Sequence, residues 1–189
     1  MKPNRRLIKK AAEILRKGGL VGFPTETVYG IAADASNKKA LAKLDKIKNR
    51  PKGKPYSLHV GYKNDIYKSI QRPSPLIKKI IKEYLPGPVT ILVKDKKGRK
   101  TGFRMPDNDI ALALIRAVGR PVVAPSANIS GQPSPVMAEE VCAGLDMVLD
   151  GGKTKYKKDS TIVDLTENPP QVVRQGYVKL AKWVFEKIR

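Results

Sequence analysis

The sequence predicts an α/β fold: one domain built on a mixed β-sheet flanked by helices. Three observations carry this. Short apolar or β-branched runs alternate with amphipathic stretches along the whole chain, so strands and helices interleave. Adjacent strand pairs, 89–93 with 101–103 and 161–165 with 171–174, break strict strand–helix–strand order and make the sheet mixed. No Gly/Ser linker, repeat or low-complexity tract divides the chain, so residues 1–189 read as a single domain long enough to bury a full core.

The elements follow in order. Leu7, Ile8, Ala11, Ala12, Ile14 and Leu15 recur at helical spacing, and Gly18 stops that helix. Leu20-Val21-Gly22-Phe23 reads as a buried strand. Ala40, Leu41, Leu44 and Ile47 mark a second helix, which must break before Pro51 because a residue ahead of proline is pushed out of the helical region. Residues 56–60 read as a strand and 75–85 as a helix ended by Pro86-Gly87-Pro88. Residues 89–93 are strongly strand-like, and Lys96-Lys97-Gly98 turns the chain toward the return strand near 101–103. Asp107 or Asn108 caps a helix over 110–118 that Gly119 ends. Then come a strand at 121–124, a short helix at 135–142, and strands at 147–149, 161–165 and 171–174. A terminal amphipathic helix at 179–188 turns Leu180, Trp183, Val184 and Ile188 inward.

Charge is the unusual part of the composition. Against 17 Asp and Glu stand 38 Lys and Arg, a formal charge of +21, which draws polyanions through long-range fields and counterion release. Nucleic acid and nucleotides are therefore the expected partner classes. The basic residues cluster at 46–54, 94–100 and 153–158, without the interleaved aromatics of an RRM. No apolar run approaches the ~20 residues of a membrane span, and the basic N-terminus leads into an amphipathic helix rather than a signal-peptide core. The cytoplasm is the expected compartment, with no membrane partner. One cysteine, Cys142, and one histidine, His59, make neither an internal disulfide nor a zinc site.

Several clusters carry chemistry. Phe23-Pro24-Thr25-Glu26-Thr27-Val28-Tyr29-Gly30 follows a strand and delivers hydroxyls and free amides to a strand end, where α/β sheets usually bind ligands. Lys48-Asn49-Arg50-Pro51-Lys52-Gly53-Lys54 places alternating cations just after a helix, suited to a triphosphate, with His59 on the next strand. Ala124-Pro125-Ser126-Ala127-Asn128-Ile129-Ser130-Gly131 combines small residues with hydrogen-bonding side chains, again after a strand. Gly151-Gly152-Lys153-Thr154 fails as a P-loop, since Met147 stands where that pattern needs glycine and 155–159 is a poor helix start.

Taken in order with Leu85-Pro86-Gly87-Pro88-Val89-Thr90, Phe103-Arg104-Met105-Pro106, Ser160-Thr161-Ile162-Val163-Asp164 and Val173-Arg174-Gln175-Gly176, these motifs resemble the YrdC family. The resemblance covers residues 18–176. It implies a twisted mixed sheet around a concave basic cleft, and the activity of an L-threonylcarbamoyl-AMP synthase. Such an enzyme converts L-threonine, bicarbonate and ATP to threonylcarbamoyl-AMP and pyrophosphate, the first step of t6A modification beside the tRNA anticodon. The implied partners include tRNA and the proteins that transfer the threonylcarbamoyl group.

By motif, Thr27, His59, Arg104, the Ala124 backbone and Ser160 would bind L-threonine. Lys48, Arg50, Lys54, Ser126, Asn128, Ser134 and Arg174 would hold ATP or the adenylate, with Thr25 a looser candidate. No enzyme nucleophile is implied; positioning and cations do the work, Lys48 and Arg50 above all. Mg2+ would arrive with ATP rather than in a dedicated protein site. Two departures stand out. Tyr56-Ser57-Leu58 replaces the family's usual Leu-Ile-Val before His59, and the chain reads as the short form, without the further domain that covers the cleft in long relatives.

Two rivals remain at this point. A non-catalytic RNA-binding or ribosome-assembly protein would use the basic cleft as a polyanion groove; it would show salt-steep RNA binding without threonine-dependent turnover. A carbamoyl-adenylate domain of hydrogenase-maturation type would bring acylphosphatase-like and zinc-finger segments that this sequence lacks.

Overall fold

In the computed structural model, which describes residues 3–51, 53 and 55–186, side-chain caps set the helix starts. Asn4 and Asn37, both in extended backbone, each accept two amide hydrogen bonds at the starts of α1 (Arg5–Arg16) and α2 (Lys38–Lys48). Ser74 caps α4 (Pro75–Tyr84), whose proline occupies the first turn, where its missing N–H is not needed. Asn108, not Asp107, caps α5 (Asp109–Val118), and Gly119 ends it at φ 81. α2 ends on Asn49 in the left-handed region at φ 47, which turns the chain sharply before Pro51. α3 (Lys63–Ser69) lies between α2 and α4.

The strands are β1 (Val21–Phe23), β2 (Gly30–Asp34), β3 (Ser57–His59), β4 (Val89–Lys94), β5 (Lys100–Arg104), β6 (Val122–Val123), β7 (Met147–Val148), β8 (Thr161–Asp164) and β9 (Gln171–Arg174). They form one sheet in the order β7-β1-β2-β6-β3-β5-β4-β8-β9. Pairs β1–β7, β3–β5 and β4–β8 are parallel and the rest antiparallel, so the sheet is mixed as expected.

Strand alternation sends side chains into separate cores. Val21, Phe23, Ala32 and Val122 pack with α1 and α5, whereas Ile31, Ala33 and Val123 face Ala40 and Leu44 of α2. Ile91, Val93, Phe103 and Val163 pack with Ile66 of α3 and with Ile80 and Ile81 of α4.

Four differences from the sequence reading have physical causes. β2 was not anticipated: covered on both faces, Gly-Ile-Ala-Ala-Asp shows no polar alternation, and alanine has little strand preference. α3 was not anticipated either, because seven residues with one buried side chain, Ile66, make no period. The helix expected at 135–142 is a single 3-10 turn, Ala138–Glu140. Its backbone is spent elsewhere: Glu140 accepts from the Val136 and Met137 amides, Tyr29 N donates to Pro135 O, and Cys142 N to Ala127 O. The terminal helix is likewise one 3-10 turn, Lys182–Phe185. Val184 is buried there, with Leu180 and Trp183 packed against the same core, while Ala181 N donates to the Tyr84 hydroxyl. Tertiary docking overrides helical periodicity at this end; Ile188 lies outside the described residues.

Candidate active site

A cleft of about 510 Å³ opens over the middle of the sheet. Ser57 and His59 of β3, Thr90 of β4, Arg104 of β5 and Ile162 of β8 contribute to its walls, joined by Thr25 and Val28 to Gly30, by Lys48, Arg50, Pro55 and Tyr56, by parts of the 124–131 segment, by Asp159 and Ser160, and by Val173 and Arg174 of β9. Register decides which side chains arrive. His59 pairs with Arg104 and Ser57 with Gly102, so Leu58 and Phe103 turn to the opposite side. Gly102 is required here, since a Cβ would run into the Ser57 side chain. Backbone bonds from Ile31 N to Pro125 O and from Ala127 N to Tyr29 O lace the 25–30 and 124–131 segments together. Two motifs nearly a hundred residues apart thus form one wall.

Arg104 is buried and paired with buried Glu26, Nη2 donating to Oε1 at 2.9 Å and to Thr27 Oγ1 at 2.6 Å. The hydroxyls then run in one direction. Thr25 Oγ1 donates to Val28 O at 2.7 Å, so Thr27, 2.8 Å away, donates to Thr25. This relay fixes the guanidinium through the first motif. Arg104 Nε is buried without a hydrogen-bond partner among the described residues.

His59 Nδ1 is likewise buried and unpartnered. Burial first and the Arg104 charge second push its pKa down to about 3, so the imidazole is neutral near pH 7 and contributes no cation.

Lys48, the last residue of α2, is buried. Its Nζ donates to the carbonyls of Ser126 and Asn128, both at 2.6 Å, and to Asn128 Oδ1 at 3.3 Å. Ser126 Oγ donates to the same Oδ1 at 2.6 Å. The ammonium therefore pins the 126–128 segment in addition to lending charge. Arg50 lies 3.9 Å over the Tyr56 ring and donates to Pro55 O, while the Tyr56 hydroxyl donates to Asp45 at 2.6 Å. The unusual Tyr56 is thus a shelf under a cleft cation.

On the far wall, Arg174 donates through Nε to Ser160 O and through Nη2 to Ser160 Oγ, both at 3.0 Å, with Asp159 3.6 Å from Nη1. Ser160 Oγ lies 3.0 Å from Thr90 Oγ1. Burial lowers the Arg174 pKa, opposed by Asp159.

Of the sequence candidates, Lys48, Arg50, His59, Arg104, Ala124, Ser126, Asn128, Ser160, Arg174 and Thr25 line this one cleft. Thr27 and Ser134 stand behind it: Thr27 is fully buried against Arg104, and Ser134 donates to Asp159 at 3.3 Å. Lys54 lies outside the described residues. Sequence reasoning gave no role to Glu26, Thr90 or Asp159. Glu26 had a visible signal, an acid inside a hydroxyl-rich motif of a basic chain; Thr90 and Asp159 resemble ordinary strand-end residues.

Comparisons with known proteins agree with this fold. The Sua5/YciO/YrdC family model, described as telomere recombination, matches residues 13–176. The threonylcarbamoyl-AMP synthase of Pyrococcus abyssi is 37% identical over 186 residues, spanning 92% of this chain and 55% of its own. The chain thus spans about half the length of that relative, and about half of the Bacillus subtilis one. A putative threonylcarbamoyl-AMP synthase of Methanocaldococcus jannaschii is 39% identical and covered over 89% of its length, with 92% of this chain. The crystal structure of P. abyssi Sua5 complexed with L-threonine superposes with a TM-score of 0.88 at 34% identity, covering 93% of this chain and 56% of that one.

Proposed function

The chain belongs to the Sua5/YciO/YrdC family, and from that premise we propose that it is an L-threonylcarbamoyl-AMP synthase, a nucleotidyltransferase acting on L-threonine, bicarbonate and ATP. The observation that carries the reading is the composition of the cleft. Lys48, Arg50, Arg104 and Arg174 meet there with Asp159 as the one lining carboxylate among the described residues, beside a neutral His59. Such a site suits a substrate with a carboxylate and several phosphates, and a reaction run by positioning and charge.

The chemistry needs no enzyme nucleophile. Bicarbonate takes up a proton and loses water to give CO2, to which the threonine amine adds, losing a proton and giving a carbamate. A carbamate oxygen then attacks the α-phosphorus, the bond to the bridging oxygen breaks, and pyrophosphate leaves with the electron pair. Arg104, aimed by Glu26 and Thr27, receives the threonine carboxylate; His59, Ser160 and the Ala124 backbone complete that subsite. Lys48, Arg50, Ser126, Asn128 and Arg174 face the nucleotide, with Ser134 bracing Asp159 and Lys54 assigned on the motif alone. ATP enters as its magnesium complex. The ion belongs to the substrate in this reading, held by its phosphate oxygens.

The product is a labile mixed anhydride, to be consumed by proteins that transfer the threonylcarbamoyl group to tRNA in the cytoplasm; the +21 charge suits handover near tRNA. Mass spectrometry of a reaction with 13C-bicarbonate, ATP and L-threonine tests the activity. One 13C in threonylcarbamoyl-AMP is the expected result. Tight tRNA binding without any labelled adenylate would favour the RNA-binding alternative.

A further inference from the structure

A second polar cavity, of about 350 Å³, lies behind the first motif and shares Thr25 with the cleft. Its other walls include Asp107 and Asp109 at the start of α5 and the 151–155 turn. Two of the residues lining it carry buried oxygens without hydrogen-bond partners among the described residues, Glu26 Oε2 and Thr154 Oγ1. Glu26 is 3% exposed and Thr154 4%. The backbone brings them together: Tyr156 N donates to Glu26 O at 2.9 Å, which runs the 154–156 segment alongside the motif. A buried, unsatisfied carboxylate oxygen costs stability unless something donates to it or coordinates it.

Charge narrows the ligand. Glu26, Asp107 and Asp109 against Lys153 and Lys155 leave the lining with one net negative charge, on a chain whose overall charge is +21. Glu26 Oε2 demands a donor or a cation, and the Thr154 hydroxyl can accept from the first or coordinate the second. A hard divalent ion favours several carboxylates, whereas no group of three or more His, Cys, Asp or Glu is arranged for a metal among the described residues. We propose that this cavity binds a monovalent cation of potassium or ammonium size, held by Glu26 Oε2 and Thr154 Oγ1. The 151–154 motif, which fails as a phosphate loop, becomes the outer wall of a cation site. Because Glu26 Oε1 holds Arg104, the bound cation and the cleft guanidinium share one carboxylate.

The test is independent of catalysis. Melting temperature is measured in potassium, ammonium, sodium and tetramethylammonium chloride at one ionic strength, for the wild type and Thr154→Val. Potassium, ammonium or both should raise the wild-type value by about 2 °C or more over tetramethylammonium, as for any ligand of the native state, and the salt that does so identifies the occupant. In Thr154→Val that difference should vanish, while the variant melts in tetramethylammonium no lower than the wild type. Crystals grown in rubidium chloride should show an anomalous peak between Glu26 and Thr154. The proposal is overturned by equal melting in all salts, by a difference that survives in Thr154→Val, or by rubidium bound elsewhere only.

Discussion

At Arg104, one guanidinium serves both a buried partner, Glu26, and the open cleft, so two substitutions should separate its roles. Arg104→Ala leaves Glu26 buried and uncompensated, and stability should fall by about 3–5 kcal/mol in chemical denaturation. Arg104→Lys keeps a charge for Glu26 but loses the planar fork. Stability should hold nearer the wild type while kcat/KM for threonine drops about 10- to 100-fold, the worth of one hydrogen bond to a charged group. His59 makes a pH prediction. Its folded pKa of about 3 lies below its ordinary value of 6.5, so in that interval the unfolded chain binds the extra proton. Stability from this group is whole above 6.5 and is lost as pH falls toward 3. Melting temperature against pH should therefore show a slope that His59→Gln removes.

Among the elements, the wall that carries Ser160 depends on a glycine outside any strand. A Cβ at Gly176 would run into the backbone of Asp159, Ser160 and Thr161. Gly176→Ala must push that segment away, costing about 1–3 kcal/mol and shifting Ser160 relative to Arg174, with activity lost in protein that still folds. The pinned segment on the other wall makes a matching prediction. Lys48→Met removes the donors that hold Ser126 and Asn128, so amides of residues 124–131 should exchange faster with deuterium while those of α5 stay protected. Most elements were legible in the sequence because caps and punctuation are local: Asn108 with Gly119, and Ser74 with Pro75. β2 and the two 3-10 turns were not, because their formation depends on what packs above them and where their amides find acceptors.

For the whole molecule, the candidate site was readable as a set of residues but not as a geometry. Motif order in the sequence groups Lys48, Arg104, Ser126 and Arg174 as one set, and the sheet brings them to one cleft. That Lys48 would be buried on backbone carbonyls, that Thr27 would stand behind Arg104, and that Tyr56 would carry Arg50 follow only from register and packing. The charge of +21 makes its own prediction at this scale. If the surface engages tRNA through six or more phosphates, affinity should fall by about 10³-fold or more between about 50 and 200 mM salt; a shallow dependence would mean the charge is not used for RNA.

The most direct test of the account is pyrophosphate release from ATP by the purified protein, with L-threonine and bicarbonate supplied together, singly and not at all, at one ionic strength. Release that requires both substrates and collapses in Arg104→Lys is the result expected. Release indifferent to threonine, or none under any condition from folded protein, would contradict it.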